Sequence, residues 1–492
     1  MRNIIKPFLL SICLIFALAG GAGARDIYVR LADKTSYVAV KSDASMTLTD
    51  ASKKKFKLGK SAVLHHSGAS VTVDKRKFKL PARISSAKPL GFNNRQYRGE
   101  FLLTQEFVLI NVLDVEDYIR GVLPAEGVAS WPREYQKAQA IISRTYGLRQ
   151  SLNRSSRGYD VVDNTSDQVY KGAGSETSAT DQAVKETAGE VVTYGSALAF
   201  TPYHSDSGGY TATNSHVWIS DIPYLTGVKE PVAYQSPNSS WTAKIPASQV
   251  QAALSKIGHN VGTIKEVRIT ATDAGGRAST LTFVGSSGSV SVKSSVFRTH
   301  VGSNTLKSTF LTGGVPGAPM ALSAQPTQPS LTAGVKKPGD SPPQPLSPPS
   351  RPTPPVPTSK TPLTGKEETR LARMTSDGIF TTSELMDMIM NPDKRKGYLY
   401  VGLERSGLAP KPKAEPKPPV ALPKITPNAG MPELKPAEVI PEENGYFVFS
   451  GRGWGHGVGL SQWGAQAMAK AGWTAERILE YYYPGTVVKR FK

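Results

Sequence analysis

The chain has 492 residues, a formal charge of +20 and a single cysteine, so it is long enough to build more than one packed core and cannot form an internal disulfide. Its 59 Lys plus Arg against 39 Asp plus Glu suit a surface that meets an anionic polymer or a membrane, although the same excess also serves solubility alone.

Residues 1 to 24 read as a secretory signal. Arg2 and Lys6 give a positive start, Phe8 to Ala19 is an apolar run, and Ala22-Gly23-Ala24 is a small-residue cleavage site, with cleavage expected after Ala24. The run is shorter than a membrane span of about 20 residues, so membrane anchoring is expected only if the segment stays uncleaved. Cys13 lies inside it, and Leu10-Ser11-Ile12-Cys13 is a poor lipoprotein signal. The mature chain then has no thiol and no cysteine metal site. Outside the cytoplasm, nucleic acid is not an expected partner.

From Asp26 to Val115 the residues alternate and are rich in β-branched types, as in Asp26-Ile27-Tyr28-Val29-Arg30-Leu31, with Gly, Asn and Asp turns between the runs. This predicts sheet. From Trp131 to Leu152 the period becomes helical: Pro132 suits a first turn, and Tyr135, Ala138, Ile142 and Tyr146 recur on one face. A second helix is predicted over Thr177 to Thr187, ending at Ala188-Gly189, with strands over Val191 to Tyr194 and from Ile264 to Val292. The fold class expected is α+β, with mixed sheets and a few helices.

Between Gly313 and Asn444 the composition changes. This stretch holds 26 of the 37 prolines and, with 16 Lys plus Arg against 13 Asp plus Glu, only +3 of the net charge. It reads as a Pro-rich, mostly disordered insert. Only Lys366 to Leu408 is apolar enough for helix, with Thr382 to Met390 as the candidate. Ordered sequence is expected to resume at Gly445, so the body would consist of residues 25–312 and 445–492.

Several long motifs stand in order along this body. They are Glu116-Asp117-Tyr118-Ile119-Arg120-Gly121-Val122-Leu123-Pro124-Ala125-Glu126, then Trp131-Pro132 and Lys137 to Tyr146, then Asp167-Gln168-Val169-Tyr170, Tyr203 to Thr211, and Gly451-Arg452-Gly453-Trp454-Gly455-His456-Gly457-Val458-Gly459-Leu460-Ser461-Gln462-Trp463-Gly464-Ala465. Together they resemble the SpoIID/LytB family over roughly Asp26 to Thr312 and Gly445 to Lys492. The resemblance implies a peptidoglycan-directed protein. It would be either a lytic transglycosylase acting on glycan strands, preferably ones stripped of stem peptides, or a non-catalytic enhancer of a cell-wall amidase. Glycan strands and an amidase are the partners implied.

A lytic transglycosylase needs one carboxyl group where an ordinary glycosidase needs two. Its acid protonates the glycosidic oxygen, and the resulting carboxylate takes a proton from the muramic acid C6 hydroxyl, which attacks C1. Glu126 suits this role because Pro124, Ala125, Gly127, Val128, Ala129 and Trp131 carry no charge that would keep it ionised. A solvated loop glutamate is the commoner use of such a residue, but the family's catalytic glutamate falls at this position. Arg144 resembles a second functional position and would hold a muramic carboxylate. Gln139, Gln168, Tyr170, His204, Ser207, Trp454, His456 and Gln462 are further candidates for substrate contacts, with a satisfied core tyrosine as the ordinary alternative for Tyr170.

Rival readings have less to stand on. Asp206-Ser207-Gly208-Gly209 resembles a serine-protease nucleophile loop, but Ser205 stands where glycine is expected and His65 and His66 sit in no catalytic motif. The C-terminal glycines do not have dinucleotide or phosphate-loop spacing. Some family members carry Cys and His at the positions of Ser207 and Tyr210, where they help bind zinc. This chain departs at both, so no metal and no cofactor are expected.

Overall fold

The computed structural model describes residues 25–152, 158–218, 222–312 and 438–491, together with residues 367, 371, 396, 398 and 399. The signal segment and the Thr382 to Met390 helix candidate lie outside the described residues.

The alternating N-terminal runs form β1 (Asp26–Ala32), β2 (Tyr37–Ser42), β3 (Met46–Thr49), β4 (Lys55–Leu58), β5 (Ser61–Ser67), β6 (Ser70–Val73), β7 (Arg76–Lys79), β8 (Ala82–Ser86), β9 (Leu90–Phe92), β10 (Arg95–Tyr97), β11 (Glu100–Leu103) and β12 (Leu109–Asp114). One sheet runs β1-β12-β11-β8-β3-β4, the other β10-β9-β2-β5-β6-β7. In β2 buried Val38 and Val40 alternate with exposed Tyr37, Ala39 and Lys41, as a strand with one wet face requires. Both sheets contribute to one apolar core that includes Val38, Leu64 and Phe78 from the second and Ile27, Leu48, Ile84 and Phe101 from the first.

β12 runs directly into α1 (Val115–Glu126), which the alternation alone does not announce. Asp114 caps it by accepting from the Glu116 amide, and Glu116 and Asp117 lie in the first turn, where the helix dipole favours negative charge. Glu126 is therefore the last residue of a helix and not part of an irregular loop. The predicted long helix is α2 (Arg133–Leu152), which buries Tyr135, Ala138 and Ile142 as its period requires. Past β13 (Val161–Val162), which joins the first sheet parallel to β1, the second predicted helix is α3 (Ser178–Glu186), capped by Thr177 through a reciprocal pair with Thr180.

β14 (Glu190–Tyr194) and β15 (Ala197–Leu198) lead to β16 (Tyr203–His204), and a short α4 (Asn214–Val217) follows. The rest comprises β17 (Trp241–Pro246), α5 (Ala247–Lys256), β18 (Ile264–Thr272), β19 (Ala278–Gly285), β20 (Gly288–Lys293), α6 (Ser294–Val301), β21 (Glu438–Glu443), β22 (Tyr446–Gly451), β23 (Leu460–Ser461), α7 (Gln462–Lys470), α8 (Ala475–Tyr482) and β24 (Val487–Arg490). A third sheet of order β17-β22-β21-β18-β19-β20 packs on α5 and α6 around its own core of Ile245, Leu254, Phe283, Phe297 and Phe449. Glu438–Glu443, which composition assigns to the Pro-rich insert, is strand β21 and pairs with β18 (Val267↔Ile440).

The C-terminal segment is not an appendage. β24 pairs antiparallel with β14, β23 pairs parallel with β16 (Tyr203↔Leu460, His204↔Ser461), and α7 and α8 share a core with α2 that includes Tyr135, Ile142, Met468, Ile478 and Leu479. Motifs more than 250 residues apart in sequence are thus brought to one place.

Candidate active site around Glu126

Glu126 is half-buried at the C-terminus of α1. Its Oε1 accepts the Val169 amide at 2.5 Å, and the nearby Tyr203 hydroxyl also favours its ionised form. Burial pushes the carboxyl above the ordinary glutamate range, while those two donors and the Lys171 charge act in the opposite direction. Among the described residues, no carboxylate is a cause of that shift.

The neighbours of Glu126 are held by a chain of amide and hydroxyl bonds. Tyr118 donates to Gln168 Oε1 at 3.0 Å, and Gln168 Nε2 donates to the Tyr203 oxygen at 3.1 Å. Gln139 donates to Ser143 at 3.2 Å and accepts from Tyr135 at 3.4 Å. Gln462, the first residue of α7, donates to the Glu126 carbonyl at 2.7 Å. Gln139 and Gln168 are fully buried, so both work behind the site, Gln168 holding Tyr203 and Gln139 meeting Ser143 and Gln462. Gln462 and Tyr203 are half-buried at its edge.

Arg144 lies elsewhere. It is fully buried in α2, and its guanidinium grips Glu116 with two bonds, Nε to Oε1 at 2.8 Å and Nη2 to Oε2 at 2.7 Å, while Nη1 donates to the Glu190 carbonyl at 3.0 Å. It ties α1 to α2 and β14 and has no route to a substrate carboxylate. Tyr170 is likewise core: it donates to Asn111 at 2.8 Å and packs on Tyr97 and Tyr118. A Cβ on Gly121 would lie 2.4 Å from its ring, so the glycine in α1 makes room for it.

The glycine-rich run folds back over β16. Gly453, Gly455, Gly457 and Gly459 all have positive φ, a region open to glycine, and at Gly459 a Cβ would lie 2.1 Å from the Pro202 carbonyl. His456 staples this loop: Nε2 donates to the Tyr203 carbonyl at 3.0 Å, Nδ1 accepts the Val458 amide at 3.1 Å, and burial lowers its pKa to about 4. Its ring is therefore neutral and fully partnered. His204 Nδ1 donates to the Val458 carbonyl at 3.2 Å, and burial likewise keeps it neutral, which leaves Nε2 with a buried lone pair that has no partner. Trp454 is the exposed aromatic of the motif, with Lys307 Nζ 5.5 Å from its ring centre.

Ser207 is fully buried and is not presented as a nucleophile. Its Oγ donates to Glu230 Oε1 at 2.8 Å and accepts the Gly209 amide at 3.0 Å. Glu230 also accepts from the Tyr482 hydroxyl at 2.5 Å, and burial pushes its carboxyl up to about 7. A Cβ on Gly464 would lie 2.2 Å from Glu230 Oε2, so this carboxyl sits against the first turn of α7, two residues from Gln462.

The family model described as Stage II sporulation protein, SpoIID, matches residues 104–194, which include Glu126, Gln139, Arg144, Gln168 and Tyr170. The amidase enhancer of Bacillus subtilis (strain 168) is 26% identical over 373 residues, 76% of this chain and 40% of that protein. The stage II sporulation protein D of the same organism is 34% identical over 158 residues, 29% of this chain and 46% of that protein, and that of Bacillus amyloliquefaciens is 31% identical over 170 residues, 31% of this chain and 49% of that protein. The chain is similar to SpoIID/LytB proteins, with the family model confined to residues 104–194. Its matches span less than half the length of each of these relatives.

Where some SpoIID/LytB members carry metal-binding Cys and His, this chain has hydroxyls. Ser207 is engaged with Glu230, and the Tyr210 ring packs where a Cβ on Gly275 would lie 2.4 Å from it. Among the described residues no three His, Cys, Asp or Glu side chains are grouped to hold a metal ion. This donor set does not fit one. Sequence reading missed Tyr203 and Glu230. Tyr203 stands inside a quoted motif, whereas nothing in the sequence around Glu230 marks it, because its partners are 23 and 252 residues away.

Proposed function

We propose that this chain is a peptidoglycan lytic transglycosylase that acts outside the cytoplasm in cell-wall remodelling, with Glu126 as its single acid and base. The observation that supports the reading is the state of that carboxyl: raised by burial, held by the Val169 amide, and with no carboxylate among the described groups that shift it. A protonated Glu126 gives its proton to the glycosidic oxygen. The Val169 amide and the Tyr203 hydroxyl then stabilise the carboxylate that remains, and this carboxylate accepts the proton of the C6 hydroxyl as that oxygen closes on C1. One group serves both steps because burial and hydrogen bonding oppose each other. Gln462 and the Gln168–Tyr203 pair fix the tip of α1 and so the direction of the carboxyl.

Among the described residues no helix is long and apolar enough to cross a membrane. The second reading is a non-catalytic enhancer of a cell-wall amidase, favoured by the relative of that name, whose match covers 76% of this chain. Incubating the purified protein with amidase-stripped glycan strands and analysing the products by mass spectrometry separates the two. Anhydro-muramyl ends are the expected result. Unchanged strands together with faster amidase turnover would establish the enhancer.

A further inference from the structure

Arg277 and Arg452 share the Phe310 ring behind the glycine-rich loop, Arg298 acts on Arg277 through its charge, and among the described residues no acid side chain is bonded to any of the three. Arg277 is 2% exposed, and its Nη2 donates to the Ser207 and Tyr210 carbonyls at 2.6 and 3.1 Å. Its Nε and Nη1 are buried and have no partner. Arg452 lies over the Phe310 ring with Cζ 3.9 Å from the centroid, the Arg277 Cζ is 5.0 Å from the same centroid, and Arg452 Nε is also buried without a partner. Arg298, 9% exposed, donates to the Lys307 and Ser303 carbonyls. Each of the three is held below the ordinary arginine range, Arg277 and Arg298 at about 10, by burial first and, for Arg277, also by the charges of Arg298 and Arg452.

The two nearby carboxylates are turned elsewhere. Asp206 accepts from Tyr234, Ser236 and the Gly208 amide, and Asp273 accepts the Gly275 and Arg277 amides. Unpaired buried charge is among the costliest features a fold can carry, and buried N–H donors are otherwise nearly always satisfied. Gly457 packs its backbone against the guanidinium, since a Cβ there would lie 2.9 Å from Arg277 Cζ. Half-buried Arg452 and exposed Trp454 form its solvent side.

We infer that Arg277 and Arg452, backed by Arg298, form a binding site for a compact oxyanion, a carboxylate or a phosphate, whose oxygens take the free Nε and Nη1 donors. The site does not depend on Glu126 chemistry, because occupancy is an equilibrium property. Its source is either a free inorganic oxyanion or the lactyl carboxylate of a glycan, a role that buried Arg144 cannot fill.

The test uses the full mature chain in melting and calorimetric titrations with phosphate, sulfate, acetate and chloride at equal ionic strength. It adds the disaccharide of N-acetylglucosamine and N-acetylmuramic acid, as the free acid and as its amide. Saturable stabilisation by an oxyanion over chloride is expected, and Arg452→Gln should weaken it roughly ten- to a hundredfold with an unchanged far-ultraviolet spectrum. Preference for the disaccharide acid over its amide would assign the site to glycan. Response to phosphate or sulfate alone would assign it to an inorganic anion. Melting curves that coincide in all four salts with no disaccharide binding, or wild-type oxyanion affinity in both Arg452→Gln and Arg277→Gln, would overturn the site. Should Arg277→Gln fail to fold, Arg452→Gln decides.

Discussion

Replacing Glu116 with alanine separates a structural arginine from a substrate-binding one. In the native chain Arg144 makes two charge-assisted bonds to Glu116, and Glu116 also accepts the Gly189 amide at 3.0 Å. Glu116→Ala leaves the guanidinium fully buried with the Glu190 and Val184 carbonyls and Thr187 as its neighbours. Breaking a buried pair from one side costs about 3–5 kcal/mol, and because the Glu116 side chain is 29% exposed and partly hydrated the lower end, about 3 kcal/mol, applies. Replacing both partners, as in Glu116→Leu with Arg144→Met, removes the orphaned charge and should recover part of that loss. Urea unfolding followed by tryptophan fluorescence measures it, alongside glycan affinity per folded molecule. A Glu116→Ala protein of wild-type stability with weakened glycan affinity would refute the structural role of Arg144.

Glu230 predicts a pH signature. Its carboxyl titrates at about 7 when folded against 4.5 when free, so its contribution is complete below pH 4.5 and is lost as pH rises through 7, by at most about 3 kcal/mol. Glu230→Gln should flatten stability between pH 4.5 and 7 in denaturation curves, and an unchanged slope would count against the buried acid. Gln462→Ala removes the bond to the Glu126 carbonyl and should slow cleavage about tenfold with little change in glycan affinity, read as a fall in kcat at constant KM. A short flexible linker in place of residues 314–436 should leave the melting transition of the body intact, since Thr312 already bonds to Ser450 and β21 is retained. A collapse of that transition would show that the insert packs on the body.

The two-residue and 3.6-residue periods made the N-terminal sheet region and α2 legible, because strands such as β2 and the helix α2 bury the face that their own pattern marks as apolar. α1 was not legible from period, since Gly121 and Pro124 interrupt it and its buried face depends on Tyr170, which lies far along the chain. Its start could have been read from Asp114 followed by Glu116 and Asp117. β21 hides in proline-rich composition because what orders it is pairing with β18, about 170 residues earlier in sequence. The site divides in the same way. Glu126 stands out by its uncharged neighbours, and Gln462 by a motif. The burial of Arg144 follows from Glu116, 28 residues away, and from Gly189 and Glu190 beyond α3. His456 proved to be a staple of the glycine loop for a comparable reason: its two partners are the Tyr203 carbonyl and the Val458 amide.

The most direct test of the central claim compares Glu126→Gln with the wild-type chain on amidase-stripped glycan strands, with release of anhydro-muramyl ends and strand binding measured in parallel. The amide keeps the shape and can still accept the Val169 amide, but it cannot give up and retake a proton. Cleavage should fall at least about a hundredfold while binding stays within a few fold of wild type. Near wild-type cleavage by Glu126→Gln would contradict the account.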